Sequence, residues 1–68
     1  MTTRTERINH YRYTVTREDC EAQRNAARRS MKAGREELAR SQHEKAAEMY
    51  EGLHLRLDAD ADFLRLMR

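Results

Sequence analysis

Sixty-eight residues with one cysteine and no proline make a single small domain that has no internal disulfide and little core of its own. Charged residues make up 38% of the chain, yet the net charge is only +2 and the mean hydropathy is −1.13. No apolar run approaches the roughly 20 residues of a membrane span, no secretory apolar region opens the chain, and a lone Cys20 suits a reducing compartment. The expectation is a cytoplasmic chain that needs a partner chain for stability, with neither a membrane nor a cofactor involved.

The charge is divided. Residues 1–34 carry eight Lys/Arg against four Asp/Glu, and residues 35–68 carry six against eight. That split suits two antiparallel segments with complementary faces, and is too mild to demand a nucleic-acid partner. From residue 17 onward Ala, Arg, Glu, Leu, Lys and Met dominate, residues that lose little side-chain freedom in a helix. The pattern predicts an all-α chain: a two-helix antiparallel hairpin over about 17–38 and 42–67, preceded by a short helical or irregular arm. Residues 1–15 form the arm and residues 16–68 the hairpin domain.

In the arm, "RINHYRYTVT" (7–16) alternates Tyr11, Tyr13 and Val15 as a strand would, while Ile8, Tyr11 and Val15 also fit helical spacing. A lone strand has no partner here, so a short helix or irregular segment is favoured, its tyrosines packing on the hairpin or on another chain.

The first long helix is expected to start at Thr16. Its hydroxyl can accept a first-turn N–H, with Asp19 three residues on and Val15 and Cys20 at the hydrophobic-staple positions. At 100° per residue Cys20, Ala27, Met31, Gly34 and Leu38 lie within about 60° of one another. Gly34 could end the helix as a left-handed cap. It is also in phase with the stripe, and a helix continuing to about residue 38 is the favoured reading. Arg24, Arg28 and Lys32 follow i, i+4 spacing beside Arg29, a ridge that could touch phosphate but reads better as a solvated face.

The second helix is expected to start at Ser41, where "SQHE" has the form of a capping box. Ala46, Tyr50, Leu53, Leu57, Ala61 and Leu64 fall within about 80° and should meet the first helix's stripe. The expected hairpin core is therefore Cys20, Ala27, Met31, Leu38, Ala46, Tyr50, Leu53, Leu57, Ala61 and Leu64. A second stripe, Leu55, Ala59, Phe63 and Leu66, flanked by Met67, lies roughly opposite. A two-helix hairpin leaves it uncovered, which marks it as a partner-binding face unless the arm folds back over it.

Several chemistries find little support. Asp58, Asp60 and Asp62 have the spacing of the first half of a calcium loop, but the position needing glycine is Phe63 and the twelfth position falls past Arg68. Cys20, His10, His43 and His54 contain no close-spaced zinc pair, and His43 and His54 would stand about 16 Å apart on one helix. A Cys–His nucleophile would need a pocket that a hairpin does not offer, so no enzymatic activity, catalytic residue or metal is expected.

The first helix "EAQRNAARRSMKAG", with its "AARR" run, the turn "GREELARSQHE", and the alternation of alanine and acid from Ala59 toward Leu66 resemble the YscE/SsaE/EscE-like small co-chaperones of bacterial type III secretion. The resemblance spans roughly residues 17–67. It departs from that pattern in a basic N-terminal arm and in lacking a helix-starting proline. It implies a non-enzymatic protein of the bacterial cytoplasm that pairs with a helical-repeat chaperone and so helps keep the needle subunit soluble and monomeric before export. Alternatives are a small homodimeric helical regulator that binds nucleic acid through the Arg24–Lys32 ridge, and a self-assembling coiled coil; alone, the chain could form a homodimer.

Overall fold

The structure, a computed structural model, describes residues 1–67. It is all helical, with α1 over Arg4–Thr14, α2 over Arg17–Lys32 and α3 over Glu36–Leu66. The arm is thus a helix in its own right, and the hairpin expected from the sequence is the α2–α3 pair with different limits.

Each start and stop has a local cause. Thr3 caps α1, its hydroxyl accepting from the Glu6 N–H. Val15 and Thr16 then turn extended, and Thr16 opens α2. Its Oγ1 accepts from Asp19 N while its own N–H donates to the Asp19 carboxylate, both at 3.1 Å. This reciprocal box satisfies two donors that the first turn leaves free. Val15 and Cys20, on either side of it, are both buried in one apolar cluster.

The expected extension of this helix to residue 38 is corrected by Gly34. Gly34 has φ +77°, the left-handed conformation that a side chain resists. Gly34 N donates to Met31 O and Arg35 N to Ser30 O, which is the paired bonding of a Schellman cap. The helix ends at Lys32 because the backbone is satisfied there. Leu38, expected to close the first stripe, belongs to α3. The expected start at Ser41 is corrected as well. Ser41 to Glu44 lie inside α3, where the chain is already helical from Glu36 and their backbone N–H groups have partners four residues back.

Helix α3 carries the fold. At 1.5 Å per residue its 31 residues span about 46 Å, most of the molecule's 51 Å length. Helix α2 lies antiparallel against its first half. Cys20 shares a cluster with Met49 and Leu53, and nearer the turn the Ser30 hydroxyl donates to Gln42 Oε1. Helix α1 behaves differently. Arg4 and Arg7 reach Glu51 and Glu48; Ile8, Tyr11 and Arg12 pass Gly52; the Arg12 carbonyl takes Arg56; and Val15 joins Met49 and Leu53. At 100° per residue those contacts sweep about 200° around α3, within residues 48–56. Helix α1 is a strap across α3; its main packing is on α3, and Tyr11 at its end reaches the cluster that Cys20 of α2 also joins.

The buried apolar residues are Ile8, Val15, Cys20, Ala27, Ala39, Ala46, Met49 and Leu53. Four are alanine or cysteine-sized, and among the described residues none lies beyond residue 53. The core sits under the strap and along the α2–α3 seam, and α3 continues past it.

Candidate interaction surface

The α1–α3 junction is built from backbone approach and charge. Gly52 has no side chain, and a Cβ placed there would stand 2.8 Å from Arg12 N and 2.9 Å from Ile8 O. Two helices touch at their main chains here. Ile8 is the buried side chain that α1 contributes. The Arg7 guanidinium forks onto Glu48, with Nη2–Oε1 at 2.8 Å and Nε–Oε2 at 3.0 Å. Such a planar two-point fit is the strong form of an ion pair. It holds the Glu48 carboxyl below the usual carboxylate range and raises Arg7, in both cases chiefly through this hydrogen bond. Arg4 pairs with Glu51 at 2.8 Å in a more exposed position. Arg56 donates to the Arg12 carbonyl, one of the acceptors that the end of α1 leaves open, at 3.4 Å.

Of the ten residues expected in the hairpin core, Cys20, Ala27, Ala46 and Leu53 are buried and Tyr50 is half-buried beneath the Arg24 guanidinium. The other five are exposed, which corrects their assignment. Met31 and Leu38 flank the turn, where Gly34 redirects the chain before the stripe can close. Leu57, Ala61 and Leu64 keep the phase of the buried α2-facing stripe, but α2 starts at Arg17, opposite the middle of α3, and among the described residues these three stay exposed. Burial drops from 4% exposure at Leu53 to 42% at Leu57, four residues on along the same face.

The expected partner face runs differently. Leu55 lines a groove beside Ile8 but is 45% exposed, Ala59 is half-buried, and Phe63, Leu66 and Met67 are exposed, Phe63 at 62% and Leu66 at 87%. This second stripe shares its phase with Glu48 and Gly52, the residues under the strap. The arm folds back, but onto Glu48 and Gly52 ahead of the stripe; it borders Leu55 without burying it, so it does not cover the stripe as the alternative reading had it. Both apolar stripes of α3 begin under a helix of the chain and run out uncovered over residues 57–67.

Asp58 and Asp62 edge the second stripe on one side, with Arg65 3.8 Å from Asp62. Asp60 lies on the other side. Among the described residues no group of three or more His, Cys, Asp and Glu could hold a metal ion, and no helix is long and apolar enough to cross a membrane. Cys20 is fully buried, and burial is the main cause that pushes its thiol up, Asp19 adding to it. A thiol so placed stays protonated and unreactive near neutrality. An open groove lined by Tyr11, Val15, Asp19 and Met49 lies where the three helices come together.

Sequence reasoning missed Gly52, the Arg7–Glu48 fork and the Ser30–Gln42 bond. A glycine in mid-helix, four residues after a glutamate, was the available signal for the first two. Fold and surface define a class: a small helical chain with a strapped core and a long apolar helix end. The chain matches no family model, no curated protein and no solved structure.

Proposed function

We propose that this chain is a non-enzymatic interaction module whose α3 end docks on a helical partner. The single observation that carries the reading is the run of exposed apolar side chains over residues 57–67 in phase with both buried stripes. Contiguous apolar surface of this kind is the mark of a protein-binding site, and a core this small leaves the chain dependent on added contacts. Following the resemblance, the partner is a helical-repeat chaperone, and the pair keeps the needle subunit of a type III secretion system soluble before export, in the bacterial cytoplasm. Helical repeats offer an apolar concave face suited to a protruding amphipathic helix.

Co-expression with such a chaperone tests the proposal. A stable 1:1 complex that is lost with Phe63→Asp supports it. Failure to form any complex, with the chain itself folded, removes it.

A second reading, a nucleic-acid regulator, draws on one feature. Arg24, Arg28, Arg29 and Lys32 are all exposed on α2, and among the described residues none is in an ion pair. Its signature is DNA binding that falls steeply with salt and is lost on replacing these four by Ala.

A further inference from the structure

On α2 the exposed cations Arg17, Arg24, Arg28 and Lys32 fall within about 80° of one another, a row about 22 Å long. Among the described residues none of the four is in an ion pair. On α3 the exposed His43 and His54 and the half-buried Tyr50 fall within about 40°. The two rows adjoin. The Arg24 guanidinium carbon stands 5.9 Å from the centre of the Tyr50 ring, and the His54 ring lies 6.4 Å from that of Tyr50, tilted by 49°. Gly52, where α1 is seated, is about 160° from both Tyr50 and His54 round α3. The strap therefore occupies the opposite side and leaves this face open.

The chemistry of the face is double. Glu21 lies within the arginine row and Glu36 within the histidine row, two carboxylates against four cations, so the balance favours an anion. A guanidinium grips phosphate at two points and also stacks on flat rings. The rings beside the row add what phosphate binding alone does not need, a surface on which a base can stack. A duplex keeps its bases stacked inside and offers this face only phosphates. A single strand offers phosphates and free base faces together.

We propose that the α2–α3 face opposite the strap binds single-stranded nucleic acid, with phosphates along the Arg17–Lys32 row and bases stacked on His54 and against the Arg24–Tyr50 pair. The inference rests on the nucleic-acid reading above and narrows it to unpaired strands. It leaves the apolar end of α3 untouched, since Phe63 and Leu66 lie about 120° or more from His54 and Tyr50 round the helix.

Fluorescence anisotropy of the full-length chain with labelled oligonucleotides of about 10 nucleotides, single-stranded and duplex, tests it. The single strand should bind about tenfold more tightly than the duplex. Its log affinity should fall with log salt at a slope of about −3, or about 0.7 for each of four phosphates. Arg28→Ala should reduce that slope by about 0.7. His54→Ala and Tyr50→Ala should each weaken the single strand about tenfold at unchanged slope, while Tyr50→Phe, which keeps the ring, should bind as the wild type does. His54 is exposed, so its variant keeps the test sound if Tyr50→Ala proves unfolded by circular dichroism. Salt-dependent binding that is equal for duplex and single strand, and indifferent to His54→Ala and Tyr50→Phe alike, overturns the proposal and leaves the phosphate-binding ridge standing. No binding of either form at about 50 mM salt overturns both. Retention on anionic lipid vesicles without oligonucleotide binding overturns both as well, and assigns the row to a membrane surface.

Discussion

Gly52 of α3 meets the main chain of Arg12 in α1 with no side chain between them: a Cβ at Gly52 would stand 2.8 Å from the Arg12 nitrogen. The strap of the fold is seated on that absence. Because the obstructing atoms are backbone, no side-chain rotation relieves the contact.

Gly52→Ala therefore separates two effects of opposite sign. Helix propensity alone favours Ala by about 1 kcal/mol. Overpacking costs about 1–3 kcal/mol. The account predicts a net loss, seen as a lower Tm together with loss of amide-exchange protection at Ile8 and Tyr11. A raised Tm would show that α1 does not sit on Gly52.

Acid should loosen the same junction. Arg7 holds the Glu48 carboxyl below its ordinary range, so the folded chain binds that proton less readily than the unfolded chain. The stabilisation is present in full above the unfolded value and disappears as pH falls through the lower, folded one. Comparing chemical denaturation of the wild type with Glu48→Gln across this acid range tests the claim. The wild type should be the more stable at neutral pH and the difference should close toward the acid end. A gap that stays constant with pH assigns the effect to packing rather than to charge.

At Gly34 the added Cβ meets nothing within 4 Å, so the cost of Gly34→Ala is conformational alone. A left-handed backbone costs a non-glycine residue roughly 1 kcal/mol. Urea denaturation should show a loss of that size with an unchanged m-value. A gain in stability would mean that the helix runs on through residue 34.

Leu53 and Leu57 face the same way on α3, but only Leu53 is buried. Leu53→Asp places a charge in the core and should unfold the chain at room temperature. Leu57→Asp should leave far-ultraviolet circular dichroism unchanged, and changes stability by about 0.5 kcal/mol or less. Periodicity alone treats the two as equals and expects both to unfold the hairpin. If Leu57→Asp does unfold it, the core extends beyond the strap.

These contrasts show what a single sequence could carry. The Thr16–Asp19 box and the Val15–Cys20 staple were legible because they are local: a few consecutive residues satisfy one another. The choice between Gly34 and Ser41 as a boundary was not. Both are valid signals, and the Schellman bonds to Ser30 and Met31 decide between them only once the chain has turned. The two stripes on α3 were legible as directions around a helix. Where burial stops along them was not, since that depends on where α1 and α2 end. Gly52 was legible only as a mid-helix glycine: which backbone it meets lies some forty residues earlier, and no side-chain pattern names that partner.

The central claim is that the exposed end of α3 is a binding surface. Its most direct test is calorimetric titration of the chain, and of Phe63→Asp and Leu66→Asp, against a helical-repeat chaperone of a type III secretion system. The account predicts a 1:1 complex with the wild type and affinity losses of at least about tenfold for each variant, with helicity preserved. Variants that bind as tightly as the wild type would contradict it.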